Sequence, residues 1–186
     1  MSFKYVAFII LFSLADLSAD EVSLWDSARR LYYSALQSEE KHREAVDLFQ
    51  KLAQSGEKQG VAQTYLGSLI AVKAKYVFSP HAKLRWAKQG LAVMDEGLAK
   101  AEHDLEALFI HGTTCYYLPF FFNRREAARQ SFRKIIALGP QATIDTPPEL
   151  VRNALNFILK VEELDPIERE GVQKWLNELE RTGYAQ

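Results

Sequence analysis

The chain has 186 residues, with 23 Lys and Arg against 24 Asp and Glu, for a formal net charge of −1. That length accommodates one domain, or two small ones, with a sizeable core, and the balanced charge gives no electrostatic footprint for nucleic acid. Cys115 is the single cysteine, which excludes an internal disulfide and a cysteine cluster for zinc.

Lys4 and the terminal amine precede an uncharged apolar run over 5–14, the form of a secretory signal with cleavage after Ala15 or Ala19. The run is about 10 residues, short of the roughly 20 that a spanning helix needs. The expectation is therefore a signal peptide over 1–19 and an exported protein, periplasmic or otherwise extracytoplasmic. Membrane contact is expected only through that segment.

Trp25, Ala28, Leu31, Tyr32 and Ala35 share one face of a first helix over 21–38. Ala45, Leu48, Phe49 and Leu52 do the same over 42–54, closed by Ser55-Gly56. A third helix holds Leu66-Gly67 and is expected to run through Lys73, Lys75 and Tyr76 to Phe78. Ser79-Pro80 places an N-cap before a proline at the first helical position, and Leu84, Leu91, Met94 and Leu98 carry the returning helix. Leu105, Leu108, Phe109 and Gly112 then mark a helix that Pro119 stops near Leu118. Asn123 and Glu126 have capping-box spacing ahead of Ala128, Phe132, Ile135 and Ile136, and Gly139-Pro140 ends that helix. Gly112 and Ala128 let these two helices approach closely. Two more starts of the same kind, Thr146-Pro147-Pro148-Glu149 and Asp165-Pro166-Ile167-Glu168, open the last two helices. No alternating stretch supports a strand, so the class is all-α.

Ala45-Phe49-Leu52 and Ala128-Phe132-Ile135-Pro140, with glycines at Gly67 and Gly112, resemble the tetratricopeptide repeat family. Gly67 follows Ala45 by 22 residues, the step a regular array requires. Gly67 and Gly112 are 45 residues apart, so the middle unit is longer than the roughly 34-residue repeat. His111 and Leu108 stand where the family prefers Leu and Trp. The resemblance implies antiparallel hairpins stacked as a short right-handed solenoid over 20–140. Residues 141–186 then supply the capping helices that cover the last apolar face. It also implies a concave groove lined by first helices, at Arg30, Ser34, Gln37, Thr64, Ser68, Ala71, Phe109, Thr113 and Tyr116. Lys73 and Lys75 extend the middle helix towards a carboxylate.

No glycine-rich phosphate loop, activated-serine motif or zinc-protease motif is present, so no catalytic residue, cofactor or metal is expected. His111 and Cys115 lie one helical turn apart, but two ligands do not make a metal site, and a buried thiol is inert. Tyr76 and Phe78 beside Pro80, and Tyr116, Tyr117, Phe120, Phe121 and Phe122 around Pro119, fall at the turns after first helices and form one aromatic edge. Three consecutive phenylalanines cannot all face one core, so part of this edge is a candidate partner surface. The function expected is a scaffold binding a protein or peptide through the groove or that edge. The alternative is a carrier with an apolar cavity lined by Tyr76, Trp86, Tyr116 and Phe121 that holds a small hydrophobic ligand.

Overall fold

The structure, a computed structural model, describes residues 24–56, 58–143 and 146–183. The segment over 1–19, expected to be a signal peptide, and the tail after Gly183 lie outside them. The described residues are all-helical, with no strand. Helix α1 covers 24–35, followed by α2 (Glu39–Ser55), α3 (Gln59–Val72), α4 (Pro80–Lys100), α5 (Leu105–Tyr117), α6 (Arg125–Leu138), α7 (Pro148–Val161) and α8 (Pro166–Gly183). Short 3₁₀ turns sit at Lys73–Tyr76, Phe120–Phe122 and Pro140–Thr143.

Caps explain most boundaries. Ser38 accepts from the Lys41 amide and Asp104 from the Ala107 amide, each satisfying an orphan donor of the first turn. Asp165 and Glu168 form the reciprocal box, each carboxylate accepting the other residue's amide at 2.9 and 3.1 Å. The other two expected boxes are corrected. Asn123 takes a left-handed conformation (φ 52°) that closes the 3₁₀ turn, and Arg124 is the N-cap of α6, without a side-chain cap bond. Pro147 rather than Thr146 is the N-cap of α7. The helix carrying Gly67 ends at Val72, so the extra length of the middle unit belongs to the 21-residue α4.

The α3–α4 pair is joined by a small-residue seam. A Cβ on Gly67 would lie 2.3 Å from the Met94 nitrogen, one on Gly90 2.2 Å from the Ala71 nitrogen, and one on Gly97 2.5 Å from the Thr64 nitrogen. The two backbones run antiparallel in contact, which only a missing side chain permits. Gly112 works differently: its face receives the Phe132 ring, 2.5 Å from where a Cβ would stand. The α5–α6 approach is therefore ring against backbone.

Two apolar clusters share α5. Trp25, Tyr32, Phe49, Tyr65 and Leu69 build the first, joined by Ala107 and Ile110 of α5. Met94, Leu105, Leu108, Phe132, Ile135, Leu155, Ile158 and Trp175 build the second. All eight residues from Leu105 to Gly112 are buried, so α5 is covered on every side rather than along one stripe. Helices α7 and α8 complete the second cluster through Leu150, Ala154, Val172 and Leu176.

Gly90→Ala is expected to destabilise the protein by about 3 kcal/mol through overpacking. Gly171→Ala, where nothing lies within 4 Å of the new Cβ, gains roughly 0.5–1 kcal/mol of helix propensity. Urea unfolding of the two variants checks the contrast.

Candidate functional site

The residues expected to line the groove divide between core and surface. Arg29 of α1 reaches Glu106 of α5 directly, with Nε 2.7 Å from Oε1 and Nη2 2.9 Å from Oε2. Tyr65 of α3 donates to the same Oε1 at 2.6 Å. Above this node Tyr32, Ser68 and Thr114 form a hydroxyl chain with 2.9 Å links. Thr64 is fully buried and donates to the Gly60 carbonyl; Ser68 sits in the hydroxyl chain; Phe109 is buried against Phe157. These three do not face a groove. Thr113 is half-buried and donates to the Phe109 carbonyl, and Tyr116 lies beneath the Arg125 guanidinium at 4.0 Å. Arg30 is exposed and donates to Ser27, while Lys73 is exposed with its ammonium 4.0 Å from the Trp86 ring centroid.

Burial pushes the Tyr32 hydroxyl up to about 12. Burial and the adjacent Glu106 charge hold Tyr65 well above its ordinary value. Desolvation pulls the Arg29 guanidinium down, but Glu106 more than compensates and holds it above its ordinary range.

A second polar node joins α4, α5 and α6. His111 Nε2 lies 3.1 Å from Asp95 Oδ1, Nδ1 lies 2.7 Å from Ser131 Oγ, and Cys115 Sγ is 3.7 Å from Nε2. Arg124 pairs with the same Asp95 oxygen. Ser131 donates to the Ala127 carbonyl, which leaves its oxygen to accept from Nδ1–H while Asp95 accepts from Nε2–H. Arg124 Nη2, a donor only, also lies 3.3 Å from Nε2, so the guanidinium and the Asp95 carboxylate compete at that ring nitrogen. Burial pulls His111 down, but the Asp95 carboxylate outweighs it, so the group rests above its usual 6.5. Asp95 also loses solvation, yet His111 and Arg124 hold it below its ordinary range. Hydroxyl, imidazole and carboxylate in line resemble a hydrolytic relay in connectivity. Ser131 and Cys115 are only 3% and 1% exposed, so neither nucleophile meets a substrate. The node ties three helices together. Among the described residues no group of three or more His, Cys, Asp or Glu is placed to hold a metal.

The aromatic edge divides. Tyr117, Phe120 and Phe121 are 73%, 89% and 64% exposed and Phe78 is fully exposed, whereas Phe122 packs against the second cluster. Tyr76 donates to the Ala35 carbonyl and meets His42 edge to face. The ring contacts of Tyr76, Tyr116 and Phe121 lead to separate neighbours, and Trp86 lies under Lys73.

Sequence reasoning missed an open cleft on the outer side of α2, α3 and α4, with a volume of about 350 Å³. Its floor is Val46, Ala53, Leu66, Ile70 and Val93; its rim is Gln50, Gln54 and Gln63. Gln63 is held by Glu96 at 3.1 Å and Lys100 at 2.6 Å. A depression on α6 differs in kind. Its Arg129, Arg133 and Lys134 are paired to Glu162, Glu168 and Glu102, which leaves a solvated face. No family model, curated protein or solved structure matches the chain.

His111 is raised in the folded state, so its contribution to stability is complete below about pH 6.5 and is lost as pH rises through the folded value. Urea midpoints measured from pH 5.5 upwards, to about pH 8.5, are expected to fall more steeply for the wild type than for His111→Gln.

Proposed function

We propose that the chain is an exported scaffold of tetratricopeptide type that binds a peptide segment of a partner protein and performs no catalysis. In this reading hairpins α1–α2, α3–α4 and α5–α6 are successive units of a right-handed stack, and α7 and α8 cover its last face. Antiparallel helix pairs with glycines at their crossings support it, as does the apolar start of the chain. Burial of the hydroxyl and thiol beside His111 favours binding over chemistry.

The single observation that carries the proposal is the α2–α4 cleft. Its lining holds no charged side chain. The exposed amides of Gln50 and Gln54 on the rim donate and accept, which suits the N–H and C=O groups of a peptide backbone, while Gln63 is held by Glu96 and Lys100. The floor of Val46, Leu66, Ile70 and Val93 suits apolar side chains. Gln63, Leu66, Ile70 and Val93 are carried on α3 and α4, which the glycine seam locks together, so little backbone freedom is lost there on binding.

Ile70 and Val93 are only half-buried, so Ile70→Arg and Val93→Arg should fold normally. Each is expected to weaken partner binding by about 30-fold, as at a typical interface hot spot. Purification of the mature chain from its native envelope, with mass spectrometry, identifies the partner. Wild-type retention and loss in both variants, at unchanged melting temperature, is the expected outcome. A partner held equally by both variants would remove the cleft from the account. A bound apolar small molecule without protein would make the chain a carrier.

A further inference from the structure

We infer that the edge formed by the α3–α4 and α5–α6 turns is a docking surface for an anionic phospholipid bilayer. Three observations combine here: the two turns lie at one level, their tips are apolar, and their charge has one sign.

The level follows from the hydroxyl chain. Ser68 and Thr114 bond at 2.9 Å, four residues before the end of α3 and three before the end of α5. The parallel helices therefore end near one another, α3 running on through the Lys73–Tyr76 3₁₀ turn, and both turns leave from the same end of the molecule. Phe78 is fully exposed at the tip of one turn; Tyr117, Phe120 and Phe121 project from the other. These rings stand on convex turns rather than in a recess, and Pro119 and Pro80 stiffen the backbone beside them. Projecting rings over a level base suit a soft planar surface, where aromatic side chains settle at the headgroup boundary.

The charge is one-sided. No Asp or Glu occurs from Lys58 to Met94, or from Ala107 to Arg125. Lys73, Lys75, Lys83, Arg85 and Arg125 are exposed on these two turns and the helix ends beside them. Lys73, Lys75 and Arg125 are held by Trp86, the Leu36 carbonyl and Tyr116. Each contact leaves the positive charge in place. Asp95 lies further along α4 and is engaged by His111 and Arg124; the exposed acids beside this edge are Glu126, next to Arg125, and Glu39, three residues after the Leu36 carbonyl that holds Lys75. The turns on either side are mixed or acidic, with Glu39 and Glu40 before α2 and Glu163 and Asp165 before α8. Cations interleaved with aromatics in the two central turns complement anionic headgroups. No helix of the described residues is long and apolar enough to cross a membrane, so the contact is peripheral.

The test is co-sedimentation of the full chain with vesicles of phosphatidylcholine alone or of phosphatidylcholine with equal phosphatidylglycerol. Wild type is expected to bind the anionic vesicles at least about tenfold better, and to lose this in high salt. Phe78→Ala with Phe120→Ala should reduce binding by roughly tenfold or more from lost apolar burial. Lys83→Glu with Arg85→Glu should reduce it by roughly fivefold for each cation lost, or more. All four side chains are exposed, so helicity and melting temperature should hold. Because every variant keeps the apolar start of the chain, a difference between them reports the edge. Variants that bind like wild type would assign binding to another segment and overturn the proposal. Equal affinity for neutral and anionic vesicles would do the same, as would salt-sensitive capture of an acidic protein on this edge without vesicle binding.

Discussion

A carboxylate on the most enclosed helix of the molecule constrains everything around it. Glu106 is 1% exposed, and an isolated charge at such a depth would cost several kcal/mol. The bidentate Arg29 guanidinium and the Tyr65 hydroxyl compensate for that desolvation. Their backbones come from α1 and α3, so satisfying one charge fixes three helices at once. Sequence supplies the donors, but only the closed arrangement of first helices brings them together. The stacked rings of Phe49 and Tyr65, with centroids 4.6 Å apart, carry the same constraint outwards to α2.

Helices α1, α3 and α5 meet through charge and hydroxyl contacts, and Thr64, Ser68 and Phe109 of the expected groove become core, while Arg30 and Lys73 stay exposed. The accessible features lie elsewhere, in a cleft outside α2–α4 and at the tips of two turns. The cleft and the turns are separate surfaces, so a chain resting on a bilayer by its aromatic tips could still hold a peptide in its cleft. Rigidity comes from the glycine seam on one side and the His111 node on the other. Both lock α4, the helix with the molecule's extra length.

Helix identity was legible because it rests on local signals. The small-aromatic-apolar series at Ala45 and Ala128 marks helices that the structure contains, and the Asp165–Glu168 box forms because its groups are three residues apart. Asn123 misled for a tertiary reason: Arg124 is drawn to Asp95 on α4, and the turn before it closes in a left-handed conformation. Glu106 has no local signature, since its partners stand 77 and 41 positions away. Gly90 and Gly97 acquire their role only against α3, whereas the apolar face of α4 is marked in the sequence by large side chains. The cleft has no linear signature, being assembled from unexceptional residues of three helices. That Phe120, Phe121 and Phe122 cannot all face one core follows from their being consecutive; which of them stay exposed is set by packing, since Phe122 alone reaches the second cluster.

The central claim, that Glu106 holds the first helices closed, is tested most directly by urea unfolding of Glu106→Gln, Arg29→Ala and the double variant. The account predicts a loss of about 3–5 kcal/mol for Glu106→Gln, since it leaves a largely buried guanidinium without its counter-charge. It also predicts a double variant less destabilised than the sum of the two single changes. A Glu106→Gln loss below about 1 kcal/mol, the level of an exposed ion pair, or strict additivity of the two changes, would contradict it.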